Sequence, residues 1–213
     1  MSDYWTIMDK NSASYTTIQP PFTLKFEEMS KAELKDYYRW FLLNIPERIQ
    51  ELTAAVRQTP GFESWEPDYT RSSLEKLGDW FRRQVESRPA TPEETREEME
   101  QMGMLWSGPI GTRRLTDKTK SLATDVGMYV SQVFVRNHPS LKWEQPLGSK
   151  NYVDYGQPVV GGFGEKRKGQ FNPVGIMLAH AATHEFGGRG PKDLVTLYET
   201  WANTIPPNQE TQR

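Results

Sequence analysis

The sequence predicts a mainly helical α+β fold built as a single domain, and three observations lead there. Apolar residues recur every three or four positions along several stretches between Leu34 and Val133, the mark of helices with one buried face. Three short β-type segments, separated by turn signals, crowd into residues 141–163 and read as a small antiparallel meander packed against those helices. Apolar residues make up only 36% of the chain and the mean hydropathy is -0.75, but 7 Trp, 9 Tyr and 9 Phe offset this, because each aromatic buries a large area. A chain of 213 residues is long enough for one sizeable core. The expected layout is one globular unit over 1–205, with helices over 30–138, the sheet over 141–163 and helices over 173–204, followed by a disordered polar tail over 206–213.

Near the N-terminus, Phe22, Leu24 and Phe26 alternate after Pro20-Pro21, which fits a short strand. Ser30 then opens a helix, with Glu33 completing a capping box. Leu34, Tyr38, Phe41, Ile45, Ile49, Leu52 and Val56 form the longest helical stripe in the chain. Pro46 falls inside it, so the helix either kinks there or stops near Leu43 and restarts with Pro46 in a first turn. Thr59-Pro60-Gly61 ends this region, and Leu74, Leu77, Phe81 and Val85 mark the next helix. Thr91-Pro92-Glu93-Glu94 starts another, with Thr as cap, Pro at the first position and carboxylates against the positive end of the helix dipole. That helix, to about Met102, is mostly charged and therefore mostly exposed.

After a turn at Gly108-Pro109-Ile110-Gly111, the residues Leu122, Val126, Tyr129, Val130 and Val133 describe a helix ending near Asn137-His138-Pro139. Leu141 to Gln145, Asn151 to Tyr155 and Val159 to Phe163 are the three expected strands. Asn172-Pro173 opens a helix closed by Gly187-Gly188, and Pro191 opens the last one, with Leu194, Leu197, Tyr198 and Trp201 on one face.

Composition excludes several chemistries. With no Cys there is no disulfide, thiolate nucleophile or Cys-ligated zinc. No stretch approaches the roughly 18 apolar residues that span a bilayer, and Met1-Ser2-Asp3-Tyr4-Trp5 has no basic region leading into an apolar run, so the expectation is a soluble, cytoplasmic protein without a membrane partner. The net charge of -2 conceals an asymmetry: residues 1–106 carry 13 basic against 19 acidic side chains, and residues 107–213 carry 13 against 9. Such a polarity speeds association with a partner more than it tightens it.

The densest chemistry is His180-Ala181-Ala182-Thr183-His184-Glu185, which holds two of the three histidines. Two His at i, i+4 share a helix face and can hold one divalent metal ion, yet the same spacing occurs in ordinary core helices. A zincin needs Glu directly after the first His, to act as base on metal-bound water, and Ala181 occupies that place; the inverted pattern is absent too. With Val174 as the reference and about 100° per residue, Met177, Leu178 and Ala181 lie near the apolar centre. On that wheel His184 falls at the edge, His180 further round, and Glu185 inside the stripe. A third ligand would come from His138, Asp125 or Asp154, and spacing selects none. The catalytic reading is thus a metal-dependent hydrolase using His180 and His184, with Glu185 as a further candidate; the alternative is that the pair is architecture.

The stretch from Gly161 to Gly169 combines glycines with Lys166, Arg167 and Lys168. It fails the P-loop pattern, because Gln170 follows Gly169, and the dinucleotide pattern, because Arg167 stands where Gly is needed. Beside Trp143, Tyr152, Tyr155 and Phe163 this basic loop also has the make-up of a nucleic-acid surface. A pI near 6.0 and the absence of RNP, KH or helix-turn-helix patterns argue against that reading. No Gly-x-Ser-x-Gly is present. The acidic run Glu93, Glu94, Glu97 and Glu98, the basic loop, Trp143 and Tyr155 are the candidate contacts for a partner protein.

Pro21-Phe22-Thr23-Leu24-Lys25-Phe26 leading into Leu34 to Arg48, with Asp125-Val126-Gly127-Met128-Tyr129 before Leu141-Lys142-Trp143, resembles small uncharacterised bacterial proteins of the polymorphic-toxin immunity kind. The likeness covers about a third of the chain and carries no catalytic motif. It implies an immunity role, in which the chain binds and neutralises a toxin partner; no cofactor is expected for that role, and a divalent metal at His180 and His184 is the alternative. The leading expectation is therefore a protein-binding module, with the metal-dependent hydrolase and the nucleic-acid binder as alternatives.

Overall fold

The computed structural model describes residues 15–96, 111–164, 169–187 and 193–207. It has the expected class, a mainly helical α+β arrangement with two small antiparallel sheets. Helix α1 spans Lys31–Arg57, and both halves of its capping box form, Glu33 N–H donating to Ser30 Oγ and Ser30 N–H donating to Glu33 Oε2. Pro46 neither stops nor restarts it, because proline removes one amide donor while the buried stripe runs on through Ile45, Ile49 and Leu52. Tyr37, not the expected Tyr38, belongs to that stripe.

The expected strand at Phe22–Phe26 is absent. The chain turns there instead, with Glu28 and Met29 N–H both donating to the Lys25 carbonyl. Phe22 and Phe26 bury their edges on Tyr37 of α1, with ring centroids 5.8 and 5.4 Å away. Alternating apolar residues thus serve a helix surface as well as a sheet.

Helix α2 (Ser73–Gln84) leads into β1 (Ser87–Pro89), which pairs antiparallel with β2 (Arg113–Leu115). Sequence patterning missed this ribbon because three-residue strands carrying arginines show no apolar alternation. Between them α3 begins at 92 and is described as far as 96, with Thr91 Oγ1 accepting from Glu94 N–H. Helix α4 (Asp117–Asn137) runs through the middle, with Thr116 as its cap and buried side chains around most of its circumference.

The second sheet is a correction. Its strands are β3 (Lys142–Glu144), β4 (Val159–Gly161) and β5 (Gln170–Phe171), in that order and antiparallel throughout. The expected middle strand, 151–155, is a series of turns: Tyr152 N–H donates to Ser149 O, Tyr155 N–H to Tyr152 O and Gly156 N–H to Pro146 O. Gly156 sits at φ +74°, which ends any extended run.

Helix α5 (Pro173–Phe186) starts at Asn172, whose Oδ1 accepts from Gly175 N–H, and ends at Gly187 with φ +77°. Helix α6 (Leu194–Ala202) is capped by Asp193; the expected start at Pro191 lies outside the described residues, as does most of the expected tail. One apolar cluster draws on α1, α2, α4, α5 and α6, and Phe134 of α4 stacks on Tyr198 of α6 at 4.6 Å. Helices α4 and α5 approach closely at Gly127, where a Cβ would stand 2.5 Å from the Pro173 carbonyl oxygen. No helix among the described residues is long and apolar enough to cross a membrane.

Candidate functional site

Both histidines lie on α5, and the structure reverses their expected burial. His180 is only 5% exposed and stacks on Phe81 of α2, with ring centroids 6.3 Å apart and planes 13° from parallel. His184 is half-buried, and its Nε2 lies 3.2 Å from His180 Nε2. Glu185, expected inside the apolar stripe, is exposed. The wheel was centred wrongly. The face that α5 buries carries Pro173, Met177, His180 and Ala181, roughly 75° round from Val174 at 100° per residue. Apolar residues occupy the opposite face as well, so composition alone could not select the buried one.

That second face is the other part of the site. Leu178, Ala179, Ala182 and Phe186 of α5, with Leu115 of β2, floor an open groove of about 730 Å³. Arg113, Arg114, Lys120 and Glu94 stand at its rim. Phe186 is 47% exposed and continues the apolar surface of Leu178, Ala179 and Ala182 into solvent, a patch and not an isolated side chain. A short chain of bonds fixes the wall: Arg113 Nε donates to Ser87 Oγ at 2.7 Å, and Ser87 Oγ donates to Glu185 Oε1. Glu185 thus ties α5 to the β1–β2 ribbon.

The proposed third ligands are engaged elsewhere. His138 Nε2 is 2.9 Å from Tyr198 Oη, and burial lowers its ring's pKa. Asp154 accepts from Asn172 Nδ2 at 2.7 Å. Asp125 is fully buried and takes two charge-assisted bonds from Arg48, at 2.8 and 2.7 Å. Tyr15 Oη also donates to it, and Ile18 N–H donates to the neighbouring Ser121 Oγ. Burial pushes the Asp125 carboxyl upward, and the Arg48 donors work against that. No group of three His, Asp or Glu able to hold a metal occurs among the described residues.

The surface candidates divide sharply. Glu93 is exposed, whereas Glu94 is spoken for: Arg88 donates to both of its oxygens at 2.8 and 2.6 Å and Thr91 N–H adds a third bond. Arg88 above all, then the Thr91 N–H, hold its carboxyl down at about 2. Glu97, Glu98, Lys166, Arg167 and Lys168 lie outside the described residues. Tyr155 is 4% exposed and belongs to the core, and Trp143 packs half-buried against Phe41 at 5.8 Å, so the aromatic sheet is no open surface. The groove escaped sequence reasoning because its parts are spread from Glu94 to Phe186. The adjacent pair Arg113-Arg114 and an apolar Phe186 just before a helix-ending glycine were the available signals.

Comparison with known protein families, with curated proteins and with solved structures returns no match.

Proposed function

We propose that this chain is a protein-binding module, an immunity-like protein that neutralises a toxin partner, and that the groove beside α5 receives an apolar segment of that partner flanked by acidic side chains. The exposed Phe186 on an apolar floor is the observation that carries this reading. An apolar centre with a charged rim is the usual anatomy of a protein interface, and rim cations select an acidic partner and speed its approach. The sequence resemblance to toxin-associated immunity proteins supports the same class. Against the hydrolase reading, Glu185 is exposed and accepts from Ser87 Oγ, on the ribbon side of α5. The nucleic-acid reading rested on Lys166, Arg167 and Lys168, which lie outside the described residues.

The test uses the full chain as bait in the native host, followed by affinity measurement with the purified partner. Phe186→Asp is expected to weaken binding at least about tenfold while lowering the unfolding midpoint only slightly, because about half of the side chain is already solvated. Arg113→Glu is expected to slow association more than it speeds dissociation. Undiminished affinity in a folded Phe186→Asp variant, or a partner whose activity is untouched on binding, would overturn the reading.

A further inference from the structure

We propose that His180 and His184 form a two-nitrogen site for a borderline divalent cation of the zinc class, which bridges the last two turns of α5. The inference is independent of the binding role, because the groove lies on the other face of the helix. Its basis is the 3.2 Å separation of the two Nε2 atoms, with the rings 86° apart. In a tetrahedral zinc site, with zinc–nitrogen bonds of about 2.0–2.1 Å, two ligand nitrogens stand roughly 3.3 Å apart. The separation of the two nitrogens therefore matches the bite that the cation requires.

In the metal-free pair one Nε2 donates and the other accepts, so a single proton occupies the place between them. The cation takes the place of that proton, which passes to solvent or to Nδ1 of the same ring so that both rings bind as neutral imidazoles, and the His184 lone pair turns off the nitrogen–nitrogen line to meet it. Half-buried His184 has the room to make this adjustment, whereas Phe81 holds His180 in place. With only two protein ligands, fewer than the three or four of built zinc sites, water fills the remaining positions and the affinity is correspondingly low. Asp193, the cap of α6, adds a carboxylate whose charge acts on His180. A cation spanning residues 180 and 184 favours helical spacing at the end of α5, and so stabilises the folded state by mass action.

The experiment is a calorimetric titration of untagged, chelator-treated protein with Zn²⁺, together with histidine ring NMR signals. One equivalent is expected to bind, with the His180 and His184 signals moving together and His138 unmoved. His184→Ala is expected to weaken binding at least about tenfold. Equal uptake by wild type and His184→Ala, absence of binding at millimolar Zn²⁺, or a response of His138 alone would each overturn the proposal. The NMR readout on the wild-type chain decides the matter even where a variant folds poorly.

Discussion

The Arg48–Asp125 cluster and the His180–His184 pair are both polar and both built on helices, yet they differ in depth and in the kind of bond that joins them. Around Asp125 both carboxylate oxygens accept from Arg48, Tyr15 adds its hydroxyl, and Arg48 also donates to the Thr16 carbonyl. This network joins the 15–18 segment, α1 and α4 and leaves no place for a ligand. The histidine pair shares one proton between two nitrogens at the end of a helix, with one ring half-exposed. Burial of a titratable group therefore says little about function until its partners are counted.

The largest expected effect is on the closed network. Asp125→Ala strands the Arg48 guanidinium in the interior and should cost about 3–5 kcal/mol in chemical denaturation, whereas His184→Ala should cost far less. A smaller loss for Asp125→Ala would show that Arg48 finds water or another acceptor once the carboxylate is gone. Next comes the helix contact that carries both regions. Gly127→Ala pushes a methyl group against the Pro173 backbone and should destabilise by about 1–3 kcal/mol, read as a lower unfolding midpoint. A neutral result would mean that α5 can shift relative to α4.

The smallest effect concerns Glu94, which is as fully bonded as Asp125 but lies near the surface. Its carboxyl sits at about 2 instead of the ordinary 4.5, so folding favours the ionised form. Its contribution is complete above pH 4.5 and is lost as the pH falls through about 2. Midpoints measured across that window should fall less steeply for Glu94→Gln than for the wild type. Equal slopes would show that the clamp between Arg88 and Glu94 adds nothing to stability.

The helices were legible where a cap and a periodic stripe coincide, as at Ser30 and Glu33 and at Asn172, and the start at Thr91 was legible from its cap alone. The sheets were legible only in part. Val159–Gly161 has an apolar run, but Gln170–Phe171 and the arginine-bearing ribbon are strands because neighbours pair with them, not because of their own pattern. The candidate site was half-legible. Spacing placed both histidines on one helix, but which of them is buried depended on where Phe81 and α4 pack. Glu185 was misplaced for the same reason, as α5 is apolar on two faces and the sequence cannot rank them.

Local chemistry thus specified the class of fold, the ends of most helices and the pairing of His180 with His184, because caps, turn glycines and i, i+4 spacing act within a few residues. The burial of Asp125 beside Arg48, the 3.2 Å approach of the imidazoles and the groove under Phe186 came from packing. Each joins residues distant in sequence or depends on which face of a helix meets the core, and that choice is made by the summed contacts of the whole chain.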